Sequence, residues 1–192
     1  MRRTATAALL ALAGTALAQP AITIEVDDPL LMPGESTLVT MFAGFDSSVD
    51  YAMGGLTTDL AISTGSEGWT GAELLPLMDS AGTTAGVASS TGFEGIIAGQ
   101  LHRPFESSFA VPDNPIASWQ ATFTAPTDVA APFTVDLSTM TARYVVWVGQ
   151  FSPLSESRLA DLTEGAATIR VIPAPASALV LAGGLLAWRR RR

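Results

Sequence analysis

The sequence predicts an all-β protein built as a single β-sandwich, flanked by an N-terminal signal peptide and a C-terminal membrane helix. Three observations lead to this prediction. Apolar and polar residues alternate along short segments, which is the period of a strand with one buried face. Clusters of Gly, Pro, Ser and Asp separate these segments as turns do. Helical periodicity is scarce, and many short strands between frequent turns are typical of a sandwich.

The length of the chain fits one domain. Its 192 residues allow a substantial core, since domains usually hold about 100 to 200 residues. We divide the chain into a signal peptide at residues 1–18, a sandwich domain at residues 19–172 and a sorting tail at residues 173–192. Cysteine is absent, which excludes disulfides, thiolate metal sites and a cysteine nucleophile. Packing must therefore stabilise the domain.

The strands are predicted from alternation and from their boundaries. In "AITIEV", residues 21–26, apolar Ile22 and Ile24 alternate with polar Thr23 and Glu25. Proline and glycine in "DDPLLMPGE" end this segment, and "STLVTMFAGF" follows as a strand rich in β-branched and aromatic residues. Further strands are predicted at residues 50–53, 56–63, 93–101, 118–124, 133–137, 141–149 and 167–172.

Helix is expected in two short pieces at most. "GAELLPLMDS", residues 71–80, is interrupted by Pro76, and "SESRLADL", residues 155–162, is brief. "YVVWVGQF", residues 144–151, is continuously apolar at its centre, which predicts a central strand buried on both faces. The small, polar stretch at residues 79–92 predicts a mobile loop.

The start of the domain carries a resemblance. A strand followed by "PGESTLVTMFAGF", residues 33–45, is similar to the first hairpin of cohesin-like and immunoglobulin-like modules. The resemblance implies an immunoglobulin-like or cohesin-like β-sandwich as the architecture of the domain.

Charge is distributed unevenly along the chain. All ten basic residues are arginines, and six of them lie at the two ends. Residues 19–172 hold four arginines against all 18 acids, which gives this part a formal charge of −14. Nucleic-acid binding depends on Lys and Arg that neutralise phosphates, so nucleic acid is excluded as a partner. A high charge of one sign keeps an exported domain soluble.

The amino-terminal segment "MRRTATAALLALAGTALAQP" has the three parts of a secretory signal peptide. Arg2 and Arg3 are basic, residues 7–12 are apolar, and Ala16 and Ala18 supply the small residues of a cleavage site. We expect cleavage after Ala18 and export through the general secretion translocon. An uncleaved anchor is disfavoured, because spanning a bilayer takes about 20 apolar residues.

The carboxyl-terminal segment has an apolar run followed by four arginines. Residues 176–188 are apolar except for Ser177, and a helix of this length spans about 20 Å of a hydrocarbon core of about 30 Å. Positive residues stay on the cytoplasmic side, so a short membrane helix with an exported amino end is predicted. The helix is assigned to Ala176, Leu179, Val180, Leu181, Leu185, Leu186 and Trp188, and the cytoplasmic anchor to Arg189, Arg190, Arg191 and Arg192.

The tail has two alternative interpretations besides a membrane helix. A helix packed on the domain would need a polar face, which residues 178–188 lack. A tail bound at an anionic lipid surface would use the arginine cluster, at about 1 kcal/mol for each arginine.

The residues before the apolar run form a short motif. Pro173, Ala174 and Pro175 favour an extended hinge, because each proline restrains its predecessor. Two prolines, an apolar helix and a terminal arginine cluster resemble the PEP-CTERM sorting signal of exported bacterial proteins. The resemblance implies recognition by an exosortase at the inner membrane and delivery to the cell surface or exopolysaccharide matrix. Family members usually have Glu where this chain has Ala174, so a retained tether and a removed tail both stay open.

Few residues could carry catalysis. His102 is the single histidine, and no cysteine completes a zinc site with it. Serine is abundant, but no G-x-S-x-G elbow exposes a nucleophile. Paired carboxylates for glycoside hydrolysis need more cleft-forming chain than about 150 residues of short strands offer. We therefore predict a non-catalytic component of the cell surface or matrix, without a cofactor.

Binding of calcium or carbohydrate is the alternative function. Oxygen ligands of the kind that Ca²⁺ prefers occur in turns at Asp27, Asp28, Asp46, Asp50, Asp113 and Asn114. Aromatic rings for a polysaccharide platform, which fill a core more often, occur at Tyr51, Trp69, Trp119 and Trp147. Carboxylates that converge on one point would favour calcium, and tryptophans that cluster on the surface would favour carbohydrate.

One pattern, S-T-G-x-E-G, occurs twice, at residues 63–68 and 90–95. A repeat protein needs at least three units, and no third copy exists. We interpret the copies as a chance match or as two similar turns.

Overall fold

The computed structural model describes residues 21–46, 52–100, 114–147, 155–159 and 165–173. In this part of the chain the protein is all-β, which confirms the predicted class. The strands are β1 (Ala21–Val26), β2 (Leu30–Leu31), β3 (Ser36–Gly44), β4 (Ala52–Ile62), β5 (Trp69–Leu74), β6 (Val87–Ser89), β7 (Gly92–Gly99), β8 (Ile116–Thr124), β9 (Phe133–Trp147), β10 (Ser155–Leu159) and β11 (Ala166–Val171).

Two sheets form the sandwich. The small sheet has the order β1-β3-β8-β5, and the large sheet has the order β2-β11-β9-β4-β7-β6, with β10 also paired to β9. The described pairings are antiparallel except for that of β2 with β11, which is parallel. β1 pairs in the small sheet, and β2, just after residues 27–29, pairs in the large sheet. The start of the domain therefore ties the two sheets together.

Apolar side chains that alternate along the strands fill the space between the sheets. In β1, Ile22 and Ile24 are buried whereas Thr23 and Glu25 are exposed, as the alternation predicts. The same pattern recurs in β3 and β8. Burial of these faces supplies the main stabilising free energy of a domain without disulfides.

An aromatic cluster joins the two sheets within this core. The ring centroids of Trp69 and Phe123, both in the small sheet, lie 5.2 Å apart. The ring of Phe93, in the large sheet, lies 5.2 Å from that of Trp119 and 6.3 Å from that of Trp69, with edge-to-face geometry. Such pairs add to the area that they bury.

Two predicted strands form one long strand, β9. Along one edge β9 pairs with β4, and along the other it pairs first with β11 and then with β10. The central position predicted for residues 144–151 is confirmed as far as Trp147. Burial on both faces is wrong, because Tyr144 and Val146 are buried whereas Arg143 is exposed and Val145 is half-buried. The outer face of the large sheet is open to solvent there.

The two predicted short helices are strands and a turn in the described chain. The first segment begins inside β5 and continues as a turn at residues 75–78, and the second forms β10 at residues 155–159. Each pairs with a long neighbouring strand, β8 or β9. Isolated helices this short are marginal in water, so pairing with a sheet prevails.

The two S-T-G-x-E-G copies lie side by side. The first copy, residues 63–68, connects β4 to β5, and the second, residues 90–95, leads into β7. The amide of Ser66 donates a hydrogen bond to the carbonyl of Ser89, beside the second copy, at 3.2 Å. All four glycines have positive φ angles: Gly65 (70°), Gly68 (81°), Gly92 (135°) and Gly95 (69°). Gly65 and Gly68 lie in the turn before β5, whereas Gly92 and Gly95 lie within β7, so the two copies share glycines of positive φ in different structural settings.

The stretch predicted as a mobile loop belongs partly to the large sheet. Residues 87–89 form the edge strand β6, which pairs with β7. Thr84 also makes an isolated bridge to Ile97 of β7, with reciprocal hydrogen bonds of 2.9 Å. The second half of this stretch is therefore regular structure.

Different segments meet at the two ends of the sandwich. At the first, here named the entry end, β1 begins and β3 ends, with Ala21 opposite Gly44. At the second, here named the exit end, β11 ends, with Val171 opposite both Leu31 and Phe133. The described chain therefore enters the domain at one end and leaves it at the other.

Candidate binding groove

An apolar groove lies at the entry end, on the outer face of the small sheet. Its volume is about 430 Å³. Its base is the place where Phe42 of β3 lies opposite Ala117 of β8, and one wall is the turn after β5. The lining residues are Phe42, Leu75, Pro76, Leu77, Pro115, Ile116 and Ala117.

The turn that forms the wall is fixed by backbone hydrogen bonds. The amide of Leu75 donates to the carbonyl of Ser118 at 3.1 Å, which holds the turn against β8. The amide of Met78 donates to the carbonyl of Leu75 at 2.8 Å, and the carbonyl of Met78 accepts from Gly99 of the large sheet at 2.8 Å. Met78 is fully buried, whereas Leu77 beside it is 60% exposed. The turn is thus anchored at both sides while Leu77 faces solvent.

A bulge shapes the base of the groove. The pairing of β3 with β8 shifts register between Met41 and Phe42, which leaves Ser118 as the extra residue. The buried Ser118 hydroxyl donates to the carbonyl of Met41 at 2.9 Å, which gives this buried polar group a partner. Bulges bend a strand and redirect its side chains, often beside binding sites.

Asn114 fixes the far side of the groove. Its Nδ2 donates to the carbonyl of Phe45 at 2.8 Å, and its Oδ1 accepts from the amide of Phe45 at 3.1 Å. The side chain thereby continues the backbone pairing of β3 beyond its last partner residue. The peptide bond from Asn114 to Pro115 is cis, and Pro115 follows as part of the groove lining.

The chemistry of the groove is that of apolar contact. Its lining side chains carry no ionisable group, so they cannot transfer a proton or hold a metal ion. Elsewhere in the described ranges, no group of three or more His, Cys, Asp or Glu residues lies close enough to bind a metal ion. The groove is suited to receiving an apolar side chain.

The calcium candidates are separated by the fold. Asp27 and Asp28 lie at the exit end, whereas Asp46 and Asn114 lie at the entry end. The Oδ1 atom of Asp28 accepts a hydrogen bond from the amide of Leu30 at 3.0 Å, and the Asn114 side chain is engaged with β3. Asp50 and Asp113 lie outside the described residues.

The carbohydrate platform is not formed by its two described tryptophans. Trp119 is fully buried and Trp69 is 8% exposed, so both belong to the core. The Nε1 atom of Trp119 donates to the carbonyl of Ala85 at 3.0 Å. The Nε1 atom of Trp69 is buried without a hydrogen-bond partner. Tyr51 and the side chain of Trp147 lie outside what the structure describes.

Most of the predicted sorting residues lie outside the described residues. Pro173 is the exception, and it follows β11 as a half-buried residue. No helix in the described ranges has both the length and the apolar composition that crossing a membrane requires. The candidates outside those ranges are Ala16, Ala18, His102, Ala174, Pro175, the helix at residues 176–188 and the arginines at residues 189–192.

Solved structures with a similar fold are cohesin modules. A cohesin module from a family 33 glycoside hydrolase of Clostridium perfringens ATCC13124 has a TM-score of 0.52 at 10% identity, covering 82% of this chain and 99% of that chain. The seventh ScaB type I cohesin from Pseudobacteroides cellulosolvens has a TM-score of 0.52 at 12% identity, covering 80% and 92%. The described domain is a cohesin-like β-sandwich. The architecture implied by the opening hairpin is therefore confirmed.

A third similar structure contains a bound partner. It is the Coh-OlpC-Doc435 type I cohesin–dockerin complex from Clostridium thermocellum ATTC 27405, with a TM-score of 0.50 at 10% identity over 84% of this chain and 99% of that chain. No family profile and no curated protein sequence matches this chain. Because the sequence identities are only 10% to 12%, these comparisons establish the fold alone.

The groove was missed in the sequence. Its apolar turn, "LLPLM" at residues 74–78, was interpreted as an interrupted helix. Leucines on both sides of Pro76 are compatible with an apolar turn, but the sequence does not show that Phe42 and Ala117 lie beside it. Long-range pairing of β3 with β8 brings them together.

Proposed function

We propose that this chain is a non-catalytic, exported module of the cell surface or exopolysaccharide matrix that binds a protein partner through the entry-end groove. One observation carries the proposal: the groove lies at the end of the cohesin-like sandwich opposite to Pro173, where the tail leaves. With the tail anchored in a membrane, the groove would face away from it. The module would then present the groove to partners outside the cell membrane.

The fold and the groove support a protein as the partner. One similar structure is a complex of a cohesin with a dockerin. In the present chain, the exposed Leu77 and the ring of Phe42 offer a contact that an apolar side chain of a partner would cover. Residues 19–172 carry a formal charge of −14, which favours basic residues around that apolar contact.

Export and sorting complete the proposal. The signal peptide would deliver the domain across the inner membrane, and the apolar run with its arginine cluster would stop there. The exosortase would then recognise Pro173, Ala174 and Pro175 with the helix that follows. Release by this enzyme would place the domain at the surface or in the matrix.

Fractionation of cells that make the native chain tests the targeting. We expect a mature amino terminus at Gln19, sedimentation with membranes in cells without an exosortase, and a shortened carboxyl terminus in cells that have one. Replacement of Ala16 and Ala18 by Leu removes the small residues of the cleavage site and should leave the signal peptide attached. A cytosolic, soluble protein that retains residues 1–18 would refute the targeting.

Crosslinking tests the groove. A photoreactive residue at position 77 should crosslink to a protein partner, whereas the same residue at position 140 should not, although Leu77 and Met140 are both more than half exposed. After mass-spectrometric identification, the purified partner should bind L77D about tenfold more weakly, or about 1.4 kcal/mol, and M140D as tightly as the native protein. Equal weakening by L77D and M140D would show that the groove is not the binding surface.

A further inference from the structure

The exit end has an apolar rim beside Pro173. Three described segments without a charged residue lie there, at residues 29–34, 129–135 and 171–173, and the exposed acids Asp28, Glu35 and Asp128 border them. They are neighbours in the large sheet, because Val171 lies opposite Leu31 on one side and Phe133 on the other. These three segments therefore surround the last described residue of the domain.

The rim displays apolar side chains. Leu30 is 49% exposed and Met32 is 42% exposed, whereas Leu31 between them is 1% exposed and belongs to the core. On the opposite side of β11, the small apolar residues 130–132 are exposed. Apolar surface therefore flanks the departing chain on both sides.

Hydrogen bonds fix Leu30 and Met32 in this exposed position. The carboxylate of Asp28 accepts from the amide of Leu30 at 3.0 Å, and the carboxylate of Glu35 accepts from the amide of Met32 at 2.8 Å. The two nearest acids thus bind the backbone of the rim itself. These two hydrogen bonds hold the backbone at Leu30 and Met32 while both side chains stay exposed.

The rim is joined to the start of the tail. The amide of Arg170 donates to the carbonyl of Pro29 at 2.8 Å, and the amide of Ile172 donates to the carbonyl of Leu31 at 2.9 Å. β2 is therefore bonded directly to the last described strand, which places Leu30 and Met32 beside Pro173.

The chain between the rim and the apolar run is short. Ala174 and Pro175 alone separate Pro173 from Ala176. Even fully extended, these three steps span about 11 Å at most. A helix that enters a membrane near Ala176 therefore brings the rim close to the lipid headgroups.

We propose that the rim formed by Leu30 and Met32 rests on the lipid surface of the membrane that holds the tail, and so orients the sandwich with its groove outward. This inference rests on the proposed membrane tail. Apolar side chains bind at the interface of headgroups and acyl chains. The short distance from Pro173 to Ala176 makes this apolar rim the described surface nearest to the start of the predicted membrane helix.

Cysteine labelling tests the contact, because the native chain has no cysteine. Full-length L30C, M32C and L77C would be made in cells without an exosortase and labelled in isolated membranes with a water-soluble maleimide. We expect L30C and M32C to react about fivefold more slowly in membranes than in detergent, as apolar contact with lipid excludes the reagent. The exposed L77C control, at the entry end, should react equally fast in both.

A second readout separates lipid from contact with the tail itself. In vesicles of phosphatidylethanolamine and phosphatidylglycerol, a fluorophore on L30C should be quenched by a spin-labelled lipid, and a fluorophore on L77C should not. Unchanged labelling of L30C, or no quenching, in protein that sediments with membranes would overturn the rim contact and leave the membrane tail standing. Protein that does not sediment with membranes would overturn both.

Discussion

The two ends of the sandwich are closed in different ways. At the exit end, backbone segments lie directly against one another: the two S-T-G-x-E-G turns are in contact, and β2 pairs with β11. At the entry end, side chains lie between backbone segments, since Asn114 binds the backbone of Phe45 and Met78 is buried under the turn at residues 75–78. The apolar groove lies at this second end.

The largest effect that tests this contrast is expected from G92A at the exit end. A Cβ atom at Gly92 would lie 2.0 Å from the carbonyl oxygen of Leu60, at a φ of 135° that L residues rarely adopt. Backbone would have to move, and we expect a loss of about 3 kcal/mol or more in the free energy of unfolding. Urea unfolding in detergent, followed by tryptophan fluorescence, measures it.

G95A is the matched control for this prediction. Gly95 has a φ of 69°, but a Cβ atom there would have no neighbour within 4 Å. Its cost should be that of the left-handed conformation alone, about 1 to 2 kcal/mol. Equal losses for G92A and G95A would mean that the close approach of Gly92 to the backbone of β4 does not determine the stability of the exit end.

The two core tryptophans give the next largest difference. Trp119 lies opposite Met41 and Leu74 toward the entry end, and its Nε1 atom donates to Ala85. W119F removes volume and this hydrogen bond, so we expect a loss of about 2 kcal/mol in the free energy of unfolding. The same urea titration measures this loss.

W69F is the counterpart toward the exit end. The Nε1 atom of Trp69 is buried without a partner, so its removal relieves a desolvation cost that offsets part of the lost volume. We expect a change within about 1 kcal/mol. A loss as large as that of W119F would show that the Trp69 N–H has a partner in solution, such as a bound water.

The strands that the sequence predicted share a clear local signal. In β1 and β3, alternation identifies both the strand and its buried face. β5 and β10 were missed because glycine, proline and charged residues obscure that alternation, and their pairing with β8 and β9 is a long-range contact. A strand at an edge is stabilised by its neighbour more than by its own residues.

The candidate site was less accessible to sequence reasoning. Its residues come from β3, from the turn after β5 and from the start of β8, and none carries a chemical marker such as a paired acid. Trp69 and Trp119 show the converse problem, since the same residue type serves a core and a carbohydrate platform. The pairing of β8 with β3 and β5 places both tryptophans in the core, and this long-range pairing is not visible in the sequence.

The smallest predicted effect concerns a side chain at the exit end, Glu94. Hydrogen bonds from Ser89 and Thr91 lower the pKa of this exposed carboxyl from its ordinary value of 4.5, and the Thr91 hydroxyl lies 3.0 Å from its Oε1 atom. Its folded pKa is the lower one, so its stabilising contribution is complete above the unfolded pKa. The contribution is lost as the pH falls from there through the folded pKa.

E94Q should therefore lower the urea midpoint slightly at neutral pH and converge with the native protein as the pH falls through the folded pKa of Glu94. E67Q, which changes the corresponding acid of the first S-T-G-x-E-G copy, controls for the loss of one negative charge. If E94Q and E67Q shift the midpoint equally at every pH, the effect is general charge and the hydrogen bonds of Glu94 do not stabilise the exit end. If E94Q shifts the midpoint more at neutral pH, these hydrogen bonds stabilise the exit end in addition to its backbone contacts.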